Sequence, residues 1–359
     1  MVKDQDIEKA AAEALLTCLG EIPFVHVERM PPEGQCEEPD VLVRVVATDS
    51  EHLVVGEVKG NGQPRLAREA INQLLRYQES YPGAYGVFIA PYVSPRAAEL
   101  CEQAGVGFVD LAGNCRLSFG QVFIQKTGEK NRFARKRDLG SLYSPKGSRV
   151  LRVLLNDLQR SWKVQDLAGE ANVSIGQTSN VKKLLSDREW IRAEREGIRL
   201  TEPEALLAEW AENQRRRRDR KFSCYSLAPV HEAEHRLAQC CAALGERYAL
   251  TSFSASLRYA PMVRSQRVAA YVTGNIEEIM PAAGLKQVTS GANVTLITPQ
   301  DDGVFYGTRD IDGLTVVSPL QAYLDLVDVA GRGNEAAEAI LDMEIRRQWQ
   351  RDETMTRRQ

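Results

Sequence analysis

Three charged residues in the N-terminal third have the types and spacing of a site that holds a divalent cation beside a phosphate. Asp40 opens a Val-rich stretch typical of a strand, and Glu57 and Lys59 close the next one. Because side chains alternate faces along a strand, Glu57 and Lys59 point the same way. If the strands pair as a hairpin, Asp40 approaches Glu57, and two carboxylates suit Mg²⁺ or Mn²⁺. The ion lowers the pKa of a bound water, and Lys59 can stabilise charge on the phosphate.

The elements that must position these residues lie within residues 1–125. An Ala- and Leu-rich helical pattern is followed by three strand patterns, a helix beginning at Pro64, and a further apolar strand. A second such helix begins at Ser94-Pro95, where Ser is a good N-cap and Pro suits the first turn. The predicted strands cover residues 24–27, 41–46, 53–58, 85–90, 106–111 and 115–119.

These residues, and the order helix, three strands, helix, strand, resemble the PD-(D/E)XK nuclease superfamily. Gln73 and Tyr77 lie four apart on one helix, similar to the Q-x-x-x-Y element of its RecB-like branch. The resemblance implies that Asp40 and Glu57 bind Mg²⁺ or Mn²⁺, that Lys59 is the catalytic lysine, and that Gln73 is a supporting polar group. The alternative is that these charges only solubilise strand ends, or that the fold binds DNA without cleaving it.

The middle third predicts three helices and a hairpin. The helices cover 145–158, 164–171 and 174–188, with Ser174 as a cap, and a hairpin turns at Glu196-Gly197. The pattern resembles the winged helix-turn-helix family over residues 145–202. On the third helix, Val181, Leu184 and Leu185 face the domain core. The polar side chains of that helix are left towards solvent, where they can contact base edges and phosphates. These candidate DNA-binding residues are Gln177, Thr178, Asn180, Lys182 and Lys183. The alternative is a small helical domain for protein contacts.

Two stretches in the C-terminal third, 248–255 and 317–333, together with the preceding helices, resemble the AbiEi family of type IV antitoxins. That family represses its own operon through a winged helix and has a nucleotidyltransferase toxin as partner. Residues 319–329 form an amphipathic helix for which core packing is favoured. His231 and His235 match H-E-x-x-H, a zinc-protease motif, but the extended histidine pattern is missing.

The composition indicates how many domains, which kind of nucleic-acid contact and which location to expect. The chain has 359 residues, 43% hydrophobic and 26% charged, which indicates two or three globular domains. The net charge of −3 means that nucleic-acid affinity must come from local basic patches. No apolar run is long enough for a membrane span, and the charged start lacks a signal-peptide core, so a cytoplasmic location is expected. Seven cysteines without a C-x-x-C pair are expected to be buried and reduced.

The prediction is therefore an α/β and α+β multidomain chain. It comprises a restriction-endonuclease-like domain at 1–125, basic linkers at 126–144 and 213–222, a winged helix-turn-helix at 145–212, and an AbiEi-like α+β domain at 223–350. The leading function is a DNA-binding, metal-dependent endonuclease, and the family resemblance alone implies a role in phage defence or genome conflict. The alternative is a non-catalytic transcriptional regulator or antitoxin. Nuclease activity, target site, toxin partner and oligomeric state, including a homo-oligomer, stay open.

Overall fold

The structure is a computed structural model that describes residues 4–31, 38–47, 50–131, 142–214, 219–262, 266–327 and 329–356. The central parts of both predicted basic linkers, residues 132–141 and 215–218, lie outside the described residues. The chain divides into two compact units, residues 1–138 with 184–189, and residues 139–183 with 190–359. Both units mix helices and strands. No helix among the described residues is long and apolar enough to cross a membrane.

The first unit alternates helices and strands in the predicted order of one helix, three strands, one helix and one strand. Its elements are α1 (Asp4–Gly20), β1 (Val25–Arg29), β2 (Val41–Ala47), β3 (Ser50–Val58), α2 (Pro64–Ser80), β4 (Tyr85–Ala90), α3 (Pro95–Gln103), β5 (Gly107–Asp110), β6 (Cys115–Phe119) and β7 (Val122–Lys126). Strand β7 was not predicted. Strand β7 follows a turn at Gly120, whose φ is positive at 51°. It pairs antiparallel with β6.

One seven-stranded sheet carries this unit, in the order β1-β2-β3-β4-β5-β6-β7. Strands β3, β4 and β5 are parallel, and the outer strands pair antiparallel. The near-continuous apolar runs of the central strands, such as β4, give the sheet two buried faces, each covered by helices. Helix α1 packs on one face, where Leu15 meets Val54 and its neighbours. Helices α2 and α3 pack on the other, where Leu74 meets Val55 and Phe88.

The second unit begins with three helices and a two-stranded hairpin. They are α4 (Pro145–Asn156), α5 (Val164–Glu170), α6 (Ile175–Asp187), β8 (Ile191–Glu194) and β9 (Gly197–Leu200). The last turn of α6, from residue 184, is grouped with the first unit. Ser144 caps α4 by accepting from the Gly147 N–H at 3.0 Å, and Ser174 caps α6 by accepting from the Gln177 N–H at 3.2 Å. Side-chain caps of this kind satisfy N–H groups that have no partner inside the helix.

The rest of the second unit is a mixed sheet with surrounding helices. Its strands are β10 (Arg220–Tyr225), β11 (Tyr248–Leu250), β12 (Val268–Val272), β13 (Lys286–Gln287), β14 (Val294–Thr298), β15 (Arg309–Ile311) and β16 (Leu314–Val316), in the sheet order β13-β10-β14-β12-β11-β16-β15. Its helices are α7 (Pro203–Gln214), α8 (Val230–Leu244), α9 (Ser252–Tyr259), α10 (Ile276–Ala282), α11 (Pro319–Leu326), α12 (Gly333–Ile340) and α13 (Arg346–Thr356). A 3₁₀ turn covers Asp302–Phe305, and a π-helical segment, Leu341–Ile345, joins α12 to α13.

Polar contacts join the helical part of the second unit to its sheet part. Arg149 on α4 donates from Nε to both carboxylate oxygens of Asp301, at 2.8 and 3.1 Å. The indole N–H of Trp349 on α13 donates to the Leu155 carbonyl at 3.0 Å in a buried position. These contacts hold α4 between the 3₁₀ turn and the C-terminal helix.

Candidate functional site

The predicted strand pairing next to Asp40 is present. Strands β2 and β3 are antiparallel, with Val41 opposite Gly56, so Asp40 lies at the end of the hairpin where β3 finishes. Its Oδ2 accepts a hydrogen bond of 2.7 Å from the Val58 N–H. This bond anchors one carboxylate oxygen on the end of β3 and leaves Oδ1 for another partner.

Asp40, Glu57, Lys59 and Tyr77 form a polar cluster at the end of β3. Glu57 is its buried acid, with 6% of its surface exposed. The ammonium of Lys59 donates to Glu57 Oε1 at 2.6 Å, so the two side chains point the same way, as their spacing predicted. The hydroxyl of Tyr77 donates to Glu57 Oε2 at 3.0 Å and also lies 2.9 Å from the Glu38 carbonyl oxygen. A buried carboxylate needs such partners, because an unpaired buried charge is costly.

Helix α2 contributes Tyr77 and Gln73 to this cluster from the other side. Burial raises the pKa of the Tyr77 hydroxyl, and the neighbouring Glu57 charge raises it further. Tyr77 therefore stays a neutral donor. Gln73 is half-buried, hydrogen-bonds Tyr77 and accepts from Arg76. Gln73 thus reaches Glu57 through Tyr77, an indirect contact that the four-residue spacing alone did not specify.

The chemistry of this cluster suits a hard cation. Among the described residues, no group of three or more His, Cys, Asp or Glu could hold a metal ion. The predicted ligands, Asp40 and Glu57, form only a pair. Mg²⁺ is often bound by one or two carboxylates and completed by water and phosphate oxygens, so the pair fits that mode. Lys59 occupies Oε1 of Glu57 and would have to share that oxygen with the ion.

The candidate DNA-binding residues on α6 do not all face solvent. Asn180 and Lys183 are exposed, while Gln177 and Lys182 are half-buried. Thr178 is completely buried, and its hydroxyl donates to the Ser174 carbonyl at 3.2 Å. The exposed position predicted for Thr178 is wrong, because it lies three residues before Val181 and so belongs to the same buried stripe.

The hairpin beside α6 carries two exposed cations that the sequence analysis did not single out. Arg192 and Arg195 are exposed, whereas Arg199 pairs with Glu194 at 2.6 Å. The backbone of Trp162 exchanges two hydrogen bonds with Ile198, at 2.8 and 2.9 Å, which makes the segment before α5 a third member of the hairpin. Alternation along β8, with one arginine pointing out beside a partly buried Ile191, could have revealed this surface.

The two stretches that carry the AbiEi resemblance meet in the interior of the second unit. Thr251 donates to Asp325 Oδ2 at 2.6 Å, and Tyr271 donates to Asp325 Oδ1 at 2.8 Å. Gln321 donates to the same Oδ1 at 2.7 Å and accepts from Arg152 of α4. The apolar face of α11 is buried as expected, with Leu320 and Leu324 at 9% and 0% exposure. The polar face of α11 is therefore internal as well.

The H-E-x-x-H segment has no zinc-protease arrangement in the described residues. His231 is exposed, and the His231 and His235 ring centroids are 4.2 Å apart. The motif glutamate, Glu232, pairs with Arg236. No third His, Cys, Asp or Glu joins them in the part of the chain that the structure describes. The two histidines lie beside an apolar helix face.

Comparison with known proteins gives one family match. Residues 199–346 match the family described as "Transcriptional regulator, AbiEi antitoxin, Type IV TA system". The matched region covers less than half of the chain. It includes both motif stretches and begins within β9, after the three helices. Among curated proteins, none matches this chain.

Similarity to solved structures is weak. The structure of EndoMS in apo form is 20% identical to this chain over the matched region, with a TM-score of 0.22. The match covers 30% of this chain and 44% of the EndoMS chain. The EndoMS–dsDNA2 complex is 20% identical, with 28% and 44% coverage and a TM-score of 0.21. A repair endonuclease from Pyrococcus abyssi is 19% identical, with 28% and 46% coverage and a TM-score of 0.22. This chain spans less than half the length of these structures, and scores this low do not define a shared fold.

Proposed function

We propose that this chain is a DNA-binding transcriptional regulator of the AbiEi antitoxin kind. The observation that carries the proposal is the match of residues 199–346 to that family, next to three helices and a hairpin in the order of a winged helix-turn-helix. In this assignment α6 is the recognition helix and β8–β9 is the wing. The protein partner implied by the family is a nucleotidyltransferase toxin.

The exposed surface of α6 supports DNA as the ligand. Asn180 and Lys183 lie three residues apart, so they are neighbours on one helix face, and both are exposed. An amide can pair with adenine through two hydrogen bonds, and an ammonium can neutralise a phosphate. Arg192 and Arg195 add two cations on the hairpin. This local positive charge occurs on a chain whose net charge is −3, as localised DNA binding requires.

The test is a binding measurement on DNA from the control region of its own gene. Fluorescence anisotropy compares that duplex with a shuffled duplex of equal length and composition. Asn180→Ala is expected to cost about 1–3 kcal/mol on the preferred duplex only, because it removes base contacts. Equal affinity of wild type for both duplexes contradicts sequence-specific regulation. Equal affinity of wild type and Asn180→Ala for the preferred duplex contradicts the assignment of α6 as the reader.

A second candidate function, metal-dependent DNA cleavage, rests on the cluster at the end of β3. Glu57 is held from two sides by Lys59 and Tyr77, and Asp40 is fixed against the backbone of Val58. A bound Mg²⁺ or Mn²⁺ supplies a water of lowered pKa and a counter-charge for phosphate. Asp40 and Glu57 would hold the ion, and Lys59 would donate to the phosphate oxygen on which charge develops.

Calorimetric titration with Mn²⁺, followed by a plasmid-nicking assay, tests this second function. Glu57→Ala is expected to lose both metal binding and cleavage. Lys59→Ala is expected to keep the metal, because it frees Oε1 of Glu57, and to slow cleavage. Glu79→Ala, an exposed acid on the same α2 helix, is the matched control and is expected to match wild type. Failure of wild type to bind Mn²⁺ or nick DNA removes this function and leaves the regulator proposal standing.

A further inference from the structure

Two cysteines that are distant in sequence meet inside the first unit. Cys18 lies in the last turn of α1, and Cys115 is the first residue of β6, 97 positions later. Their Sγ atoms are 3.1 Å apart, and both are free thiols. A disulfide has an S–S length of about 2.05 Å, so a movement of about 1 Å, within reach of small side-chain rotations, separates the thiols from a covalent bond.

We propose that Cys18 and Cys115 form a reversible disulfide that fastens α1 to β6 under oxidising conditions. The thiols lie on the sheet face covered by α1, within the same apolar cluster as Leu15 and Leu19. The Glu57 cluster lies on the opposite face, against α2. The bond therefore acts on the stability of the first unit and leaves the carboxylates on the other face in place.

The surroundings of the two sulfurs assign them different roles. The hydrogen bond from the Cys18 thiol lowers the pKa of Cys115, and the nearby Lys126 ammonium also lowers it. The same hydrogen bond raises the pKa of Cys18. Lys126 is paired with Cys115 in the β6–β7 ladder. Because the thiolate is the nucleophile, Cys115 is the sulfur that reacts first and Cys18 is the sulfur that resolves the intermediate.

Hydrogen peroxide is the class of oxidant that this pair would use. The Cys115 thiolate attacks one peroxide oxygen, the O–O bond breaks, and the departing hydroxide takes up a proton to become water. The Cys18 sulfur then attacks the Cys115 sulfenic acid, the S–O bond breaks, and the hydroxide leaves with the Cys18 proton as a second water. The two thiols lose two electrons and the peroxide gains them. A dithiol reductant reverses the step by exchange.

Mass spectrometry of the full-length protein tests the proposal directly. Wild type is treated with peroxide, its remaining thiols are alkylated under denaturing conditions, and it is digested with trypsin and a glutamate-specific protease. The second enzyme is needed because Cys101 and Cys115 share the tryptic peptide 97–116, which it divides after Glu102. The expected product joins peptide 14–21 to peptide 103–116 and weighs two hydrogen atoms less than their sum. Loss of this product on dithiol treatment is also expected.

Thermal melting of undigested, non-alkylated aliquots of the peroxide-treated and reduced protein tests the fastening. Oxidised wild type is expected to melt above reduced wild type, since a cross-link over 97 positions restricts the unfolded chain. Cys18→Ser should lose both the product and the shift, while Cys101→Ser, a buried thiol on α3, should keep both. Peroxide-treated wild type in which Cys18 and Cys115 remain alkylatable overturns the proposal. Equal melting of the cross-linked and reduced forms overturns the fastening.

Discussion

Replacing Lys183 with alanine tests whether α6 lies against DNA. Lys183 is exposed and lies three residues after Asn180 on the same helix face. Lys182 is half-buried and is rotated about 100° around the helix from its neighbour. If Asn180 contacts bases, Lys183 is the lysine placed to reach an adjacent phosphate. Lys183→Ala should therefore weaken binding to all duplexes and reduce its salt dependence, and Lys182→Ala should do so less.

The size of the effect follows from counterion release. Each phosphate contact contributes about 0.9 to the slope of log K against log salt concentration. Between roughly 50 and 200 mM salt, one such contact accounts for about a 3.5-fold loss of affinity, and two account for about 12-fold. The ratio of wild-type to Lys183→Ala affinity should therefore shrink by about 3.5-fold as salt rises over that range, because the variant has one phosphate contact fewer to lose.

Anisotropy titrations at four or more salt concentrations measure these slopes. Lys286→Ala is the matched control, since Lys286 is an exposed lysine on β13 of the mixed sheet and carries the same charge change. Its slope should equal that of wild type. If Lys183→Ala and Lys286→Ala give the same slope, α6 makes no phosphate contact through Lys183, and the assignment of α6 as the DNA-binding helix is refuted.

Three further changes test the buried contacts by urea unfolding. Tyr77→Phe removes the donor to buried Glu57 and should cost about 1.5–3 kcal/mol, as for hydrogen bonds to charged groups; an unchanged midpoint would show that the bond contributes nothing. Asp301→Asn breaks the pair with Arg149 and should cost about 1–3 kcal/mol at pH 7. Burial alone would raise the pKa of Asp301, but the hydrogen bonds from Arg149 and the Gly303 N–H, together with the charges of Arg149 and Arg152, outweigh it and the pKa is lowered. Stability from this pair is therefore present above about pH 4 and is lost as pH falls through the lowered value; an equal deficit at pH 7 and pH 3 would contradict the pair. Thr178→Val keeps the buried shape and should cost about 0.5–1.5 kcal/mol with DNA affinity unchanged; weaker binding would mean that Thr178 reaches DNA after all.

Local rules were sufficient where the deciding contact is local. The Val-rich pattern predicted two strands that could pair as a hairpin, and β2 and β3 do pair antiparallel, with Val41 opposite Gly56. That Asp40 and Glu57 share one ion stays a prediction. Ser94 and Ser174 cap their helices, because a Ser hydroxyl just before a helix is close to the N–H groups it satisfies. In each case the partners are near in sequence or fixed by one turn.

Local rules failed where the deciding partner is distant or the pattern was cut short. Thr178 was placed outside because the buried stripe was counted from Val181 onward, although one more step of three residues reaches Thr178. Nothing in the sequence near Arg152 indicates that an arginine within α4 is 3% exposed. Its partner is Gln321, 169 positions away, and its guanidinium lies 5.1 Å from the ring centroid of Trp210. Only the tertiary structure supplies both.

The buried arginine also shows how the three-helix part and the family-matched region are connected. A buried charge is tolerated only with partners, and Arg152 has them within residues 199–346, while Arg152 itself precedes that match. Gln321 in turn donates to Asp325, which also accepts hydrogen bonds from Thr251, just after β11, and from Tyr271 on β12. The first helix of the three-helix part is therefore a member of the polar cluster of the matched region. Helix α4 also packs against α5 and β9, so it joins the polar cluster around Asp325 to the three-helix part.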